Sequence, residues 1–204
     1  HGHNDHINAA VEVAAATEAE IALHPADHVL WAQEYGDLRP DIDLADGATL
    51  ELGDTTVAVL HTPGHTPGAV SLYAEDLGAV FCGDTLLRGG PGSTDRSHSD
   101  FAAIIASIRD RLLTLPAATV LHGGHGADTT IGAEAPHLAG VEPRERTEQQ
   151  RLGPAGVDVV DVLRVVVVEV EDRPQRVEQR QRGGVTDQRH VVAGDLHRHP
   201  RGAE

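Results

Sequence analysis

"HGHNDH", residues 1–6, places three imidazoles and a carboxylate within six positions. His1 and His3 are two apart, so on an extended chain both rings leave on the same side. Asp5 and His6 follow where Ile7, Ala10, Val11 and Ala14 begin to recur at helical spacing. That periodicity predicts a helix, and the turn into it lets Asp5 and His6 face a second point close to the first. Neutral imidazole and carboxylate oxygen are ligands for zinc, and equally for iron or manganese. Read singly, each histidine would be a surface residue of a chain that contains 14 of them. The grouping outweighs that reading because three further residues of ligand type recur downstream in a shared local setting.

Working outward, residues 21–23 read as a short buried strand ended by His24-Pro25, and residues 27–35 as a helix closed by Gly36. "TLELGDTTVAVLHTPGHTPG" (49–68) gives two strands, 49–52 and 56–60, around a Gly-Asp turn, followed by a loop punctuated by Pro and Gly. "AVSLYAEDLGAVFCGD" (69–84) repeats the pattern, with strands over 69–73 and 79–82. Ser99 or Asp100 caps a helix running to residue 113, with Phe101, Ile104, Ile105, Ile108 and Leu112 on one face. Residues 118–121 predict a further strand, ending at "HGGHG". Strands and helices alternate and the polar clusters fall at strand ends, which is how α/β enzymes present their sites. His65, Asp84 and His125 each follow a predicted strand and are bordered by Gly or Pro.

Four motifs in this order, "HGHNDH", "HTPGHTPG" (61–68), "GDTL" (83–86) and "GGHGADTTIGAE" (123–134), resemble the metallo-β-lactamase superfamily, and within it the glyoxalase II-like thioester hydrolases. The resemblance covers residues 1–140. It implies an α/β fold of αββα sandwich type, with one or more strands ahead of the first His motif. This chain lacks them, and it contains no Met, so the sandwich is expected to be incomplete at its N-terminus, with strand edges left bare. The resemblance also implies two divalent metals, zinc first and iron or manganese as alternatives. His1, His3 and His65 would hold one, Asp5, His6 and His125 the other, with Asp84 bridging. A hydroxide shared by the metals would attack a carbonyl, with Asp5 and Asp84 in the catalytic machinery. The function implied is hydrolysis of thioesters of a small cellular thiol. The alternatives are a lactonase, a β-lactamase, an iron persulfide dioxygenase, and a truncated, non-catalytic metal-binding chain.

The remaining polar residues receive plainer readings. His61 and His122 sit beside ligand positions and read as supporting residues, Cys82 as a buried structural thiol. His24, His28, His98 and His137 read as surface or capping residues. Arg96, in "LLRGGPGSTDRSHSD" (86–100), lies in a Gly-rich loop directly after Asp84 and is the candidate to meet a substrate carboxylate.

Composition bounds the rest. The net charge of −16 argues against nucleic acid or an anionic membrane as partner, and no apolar run approaches the ~20 residues of a membrane span. The expected partner is a small-molecule substrate, with the oligomeric state open. One cysteine excludes an internal disulfide and favours a cytoplasmic setting. The charge is uneven: 5 Arg face 20 acids up to residue 140, whereas 11 Arg face 12 acids from 141 onward. The later part has no aromatic residue, Ser, Asn or Ile. Residues 141–204 therefore read as a divergent or disordered tail, or as out-of-frame translation of GC-rich DNA, with no chemistry assigned. A strand over 165–170 is the one element its pattern permits.

Overall fold

The computed structural model describes residues 1–138 together with Val167–Val168; the rest of the tail assigned to 141–204 lies outside the described residues. In chain order the elements are α1 (Asn4–Ile7), α2 (Ala10–Thr17), β1 (Glu20–Leu23), a 3-10 turn (Pro25–Asp27), α3 (His28–Tyr35), β2 (Ile42–Asp43), β3 (Thr49–Leu52), β4 (Thr55–His61), β5 (Val70–Ala74) and β6 (Ala79–Gly83). A small hairpin of β7 (Leu86–Leu87) and β8 (Gly90–Pro91) follows, then α4 (Phe101–Ser107), a π-helical turn (Ile108–Leu112), β9 (Val120–Gly123), β10 (Thr129–Thr130), α5 (Ile131–Leu138) and β11 (Val167–Val168).

Six strands form one sheet in the order β10-β9-β6-β5-β4-β3, antiparallel except where β6 pairs with β9. Its register explains the layering, because directly opposed residues share a face. Val59, Leu72, Phe81 and His122 lie in one cross-strand row, and Ala58, Tyr73, Val80 and Leu121 in the row on the other side. The second row packs against the α4 side: Val80 and Leu121 cluster with Ile104, Ile108, Leu112 and Ile131. The first row faces β1 and β2, where Leu44, Val57, Val59, Leu72 and Ala74 form a second cluster. Helices α1 to α3 cover the far side of β1 through Ile7, Ala10, Ala14, Ile21, Leu23 and Trp31. The layers thus run helices, small sheet, large sheet, helices. A cavity of about 340 Å³ lies between the sheets, lined by residues such as Leu23, Val57 and Phe81 and reaching His1 and His6.

Several expectations shift. The helix predicted to residue 113 is α-helical only to Ser107; beyond it Leu113 N–H donates to the carbonyl of Ile108, five residues back. Asp100 is its cap, accepting from Ala103 N–H at 2.9 Å. The strand predicted over 118–121 lies at Val120–Gly123 instead, because Thr119 N–H closes a turn onto Pro116. Neither β7–β8 nor α5 was expected; α5 forms although Pro136 sits inside it, and Ile131 and Gly132 donate to Thr119 and Ala117. The edge of β1 is paired on both sides, parallel with β2 and antiparallel with β11 (Ile21 opposite Val167). No helix among the described residues is long and apolar enough to cross a membrane.

Candidate metal centre

The sequence dictates four connections at one end of the large sheet, and each carries part of the site. His1-Gly2-His3 runs into α1, where the His3 carbonyl accepts from His6 and Ile7 N–H, and Asp5 and His6 ride on that single turn. His65 lies between β4 and β5, in a loop closed by Thr62 N–H to Ala69 O and by Gly64 N–H to Thr66 O. Asp84 follows β6, where Thr85 N–H folds back to Cys82 O at 3.0 Å. His125 follows β9, whose Gly124 N–H donates to Gly83 O at 2.7 Å, holding the β6 and β9 ends side by side. Gly124 must lack a side chain, since a Cβ there would stand 2.2 Å from Asp84 Oδ1 and 2.7 Å from His6 Cε1.

These connections bring all seven predicted ligand residues into one cluster. His1, His3 and His65 form one group of mutually close ligand-type atoms, Asp5, His6 and His125 another, and His1, His6 and Asp84 a third between them. Asp84 Oδ2 lies 3.4 Å from Nε2 of both His65 and His125, 3.5 Å from that of His6 and 4.0 Å from that of His1. His3 Nδ1 and His65 Nε2 are 2.9 Å apart, and His6 Nε2 and His125 Nε2 3.1 Å. Asp5 Oδ2 stands 3.3 Å from His125 Nε2.

Whether these residues suit metal ions is decided by their unsatisfied atoms. Both ring nitrogens of His1, His3 Nε2 and Asp84 Oδ1 are buried without a hydrogen-bond partner. Stranding polar groups in this way costs free energy. A cation among them would remove that cost. The donors are nitrogen and oxygen only, the set for zinc, iron or manganese.

Electrostatics favour the forms in which these side chains could bind a metal. Burial, then the charge of His65, pushes His3 down to about 4. Burial also lowers His65, partly offset by Asp84. Both imidazoles are therefore neutral at neutral pH, as a ligand must be. Burial alone would raise the carboxyl of Asp84, but hydrogen bonds from His125 and His6 outweigh it and hold it well below the usual range. Asp5 behaves likewise: its desolvation is overcome, first of all by the charge of His6.

The supporting residues separate cleanly. His61 Nε2 pairs with Pro67 O at 2.9 Å and its ring stacks on His24; His122 stacks on Phe81 and meets Asp128 at 3.0 Å. Cys82 is buried and its thiol donates to Leu86 O. His24 caps the 3-10 turn, accepting from Ala26 N–H. His28 meets Asp43 at 3.1 Å. Arg96 stands at the mouth, with Nη1 3.6 Å from Asp5 Oδ1. It lines a polar cleft with His3, Asn4, Gln33, Glu34 and His98.

Sequence reasoning missed the polar groups beneath the ligands. Thr62 Oγ1 lies 2.9 Å from Ser71 Oγ and 3.1 Å from Thr85 Oγ1, tying the His65 loop to the Asp84 turn. Asp27 is fully buried and accepts from Gly2 N–H, Thr66 Oγ1 and Gly68 N–H. The repeated Thr of "HTPGHTPG" was a signal for the first group. Asp27 gave none, because it reads as the first residue of the helix predicted over 27–35.

Comparison with known proteins identifies the family. The family model described as "Metallo-beta-lactamase superfamily" matches residues 1–125. The chain is 36% identical over 149 residues to hydroxyacylglutathione hydrolase GloC of Haemophilus influenzae, the match covering 66% of this chain and 69% of that protein. Among solved structures, the BLEG-1 B3 metallo-β-lactamase aligns with a TM-score of 0.61 at 35% identity, over 67% of this chain and 72% of that one. TTHA1623 in a di-iron-bound form aligns with a TM-score of 0.56 at 38% identity, over 66% and 71%. The fold these proteins share binds divalent metals, often two. Motif order, layer order and matched extent lead to one conclusion: the chain belongs to the metallo-β-lactamase superfamily.

Proposed function

We propose that this chain is a two-metal hydrolase of thioesters formed by a small cellular thiol, a hydroxyacylglutathione among them. The observation that carries the reading is the pair of ligand-type groups joined at one oxygen, Asp84 Oδ2. His1, His3 and His65 would hold one divalent ion and Asp5, His6 and His125 the other, with Asp84 shared and zinc the expected metal. Bound ions supply a water acidic enough to ionise near neutral pH and a Lewis acid for the carbonyl. The protein's part is placement. Asp5 is exposed on the open side of the cluster, where its carboxylate accepts a hydrogen bond from the attacking water and orients it. The water oxygen adds to the thioester carbonyl carbon and the C–S bond breaks; of the water's two protons one passes to the departing sulfur and the other to solvent, leaving a carboxylate and a thiol. Arg96, beside Asp5 on the rim of the polar cleft, suits a carboxylate on the thiol portion of the substrate. The identity to GloC supports the thioester class.

The test is hydrolysis of a hydroxyacylglutathione by the purified chain, followed as thiol release alongside metal content. About two metals per chain, with activity lost on chelation and regained on adding zinc, is expected. Two bound metals without thioester cleavage would move the substrate to a lactone or β-lactam. A single iron without hydrolysis would favour the dioxygenase chemistry.

A further inference from the structure

Asp27 stands at the N-cap position of α3, where an Asp side chain ordinarily accepts from its own helix, yet it makes no such bond. Its carboxyl group is turned inward and fully buried. Oδ2 accepts from Gly2 N–H at 2.7 Å and from Thr66 Oγ1 at 2.7 Å, and Oδ1 accepts from Gly68 N–H at 2.6 Å. Gly2 separates His1 from His3, Thr66 adjoins His65, and Gly68 ends the same loop. One carboxyl group therefore grips both segments that carry the His1, His3 and His65 rings, and no segment that carries Asp5, His6 or His125 beyond the start of α1.

The two glycines show how closely the parts are fitted. A Cβ on Gly68 would stand 2.6 Å from Asp27 N and 2.7 Å from its Cγ, and one on Gly2 would stand 3.1 Å from Asp27 Cβ and 3.0 Å from Leu30 Cβ. Side chains are missing where the Asp27 carboxyl reaches the backbone.

We infer that Asp27 is a positioning residue that clamps the His1-Gly2-His3 segment to the His65 loop and so sets the metal affinity of that group alone. The inference rests on the two-metal reading above. An amide cannot replace the carboxyl. In Asp27→Asn, an amide oxygen at the Oδ2 place would set the NH2 against Gly68 N–H, and the amide turned round would face Gly2 and Thr66 with a donor.

The experiment is zinc affinity by competition with a chromophoric chelator, on the full chain. It is run in a His125→Ala background, where the zinc retained is that of the buried group, and in a His65→Ala background, where it is that of the open group. Asp27→Asn should weaken the first zinc by about 10–100-fold, the range for outer residues that orient ligands, and leave the second unchanged. Should Asp27→Asn fail to fold, Thr66→Val, which removes one of the three bonds, carries the test: a smaller loss in the same zinc is expected, with Thr66→Ser restoring it. Leu112→Ala, buried on the opposite side of the large sheet, should lower Tm without changing either affinity. Equal weakening of both zincs, or a lower Tm with both affinities intact, would overturn the clamp while leaving the metal centre standing. No zinc bound by the unmutated chain would refute the centre, and the clamp with it.

Discussion

The two groups of metal-ligand type are built from similar atoms and differ in nearly everything around them. The side chains of His1, His3 and His65 are buried, wholly imidazole, and anchored from behind: His65 Nδ1 lies 2.7 Å from Ser93 O, and Asp27 accepts from the backbone of Gly2 and of Gly68. Asp5, His6 and His125 include a carboxylate, and two of them stand at the surface: the side chains of His125 and Asp5 are 47% and 44% exposed, that of His6 14%. They hang on a one-turn helix and the loop after β9. The contrast teaches a division of labour. On the two-metal reading, the buried imidazole group would hold its ion in a fixed setting. The open group, with its own carboxylate, would be the one that meets water and substrate.

The division is broken most severely at the atom the groups share. Asp84→Asn is expected to reduce metal content below one per chain and to cost more activity than the ~10–100-fold typical of an outer residue, checked by elemental analysis and thioester assay on the same preparation.

Next in size is the comparison of one ligand from each group in the metal-free protein. His65→Ala opens a buried space and strands Ser93 O, a loss of about 1–3 kcal/mol, whereas His125→Ala, half-exposed, removes a hydrogen bond to Asp84 and should cost less, about 0.5–1.5 kcal/mol. Denaturant titrations measure both, and equal losses would erase the distinction drawn above. Arg96→Ala should raise KM about tenfold, near 1.4 kcal/mol, with kcat little changed, as for a group that binds ground state and transition state alike. An unchanged KM would remove Arg96 from substrate binding.

Acid separates the groups by window. His3 titrates near 4 when folded and near 6.5 when unfolded, so between those values the unfolded chain binds more protons and stability falls as pH is lowered. The folded Asp5 carboxyl is depressed instead, so its contribution is intact above about 4 and is lost only below it. Melting the metal-free protein from pH 7 to 4 should show a decline that His3→Gln reduces, His65 and His24 supplying the rest, and that Asp5→Asn leaves in place. The smallest effect belongs to a pair away from both groups. Asp46 accepts from Arg111 and from His61 N–H at the surface, and Arg111→Ala should cost at most about 1 kcal/mol.

The legible part of this molecule was what local pattern encodes. Alternation at Thr56-Val57-Ala58-Val59 predicted β4, and four-residue spacing of Ile104, Ile108 and Leu112 predicted the helix that covers the sheet, though not its π turn. The convergence of His1, His3, Asp5, His6, His65, Asp84 and His125 was legible because residues of ligand type recur at the ends of predicted strands. What escaped is held by tertiary contact. Gly132 and Pro136 read as helix breakers, yet α5 forms because loop carbonyls satisfy its first N–H groups and Ile131 is buried against the sheet. The β7–β8 hairpin has two-residue strands containing Gly and Pro, too short for any period to show. Asp27 was invisible because its partners lie 25 to 41 residues away.

His6 and His125 meet across 119 residues of chain, and that span bears on how the protein is made. An ion held by both would close a loop containing nearly the whole described fold, so it stabilises against unfolding far more than its local contacts suggest. It also has to arrive late. On the ribosome the nascent chain can present HGHNDH early, but the second group does not exist until β9 has emerged and found β6 in parallel register. On the two-metal reading, filling of that group would therefore follow the pairing of β9 with β6 rather than assist the first steps of folding.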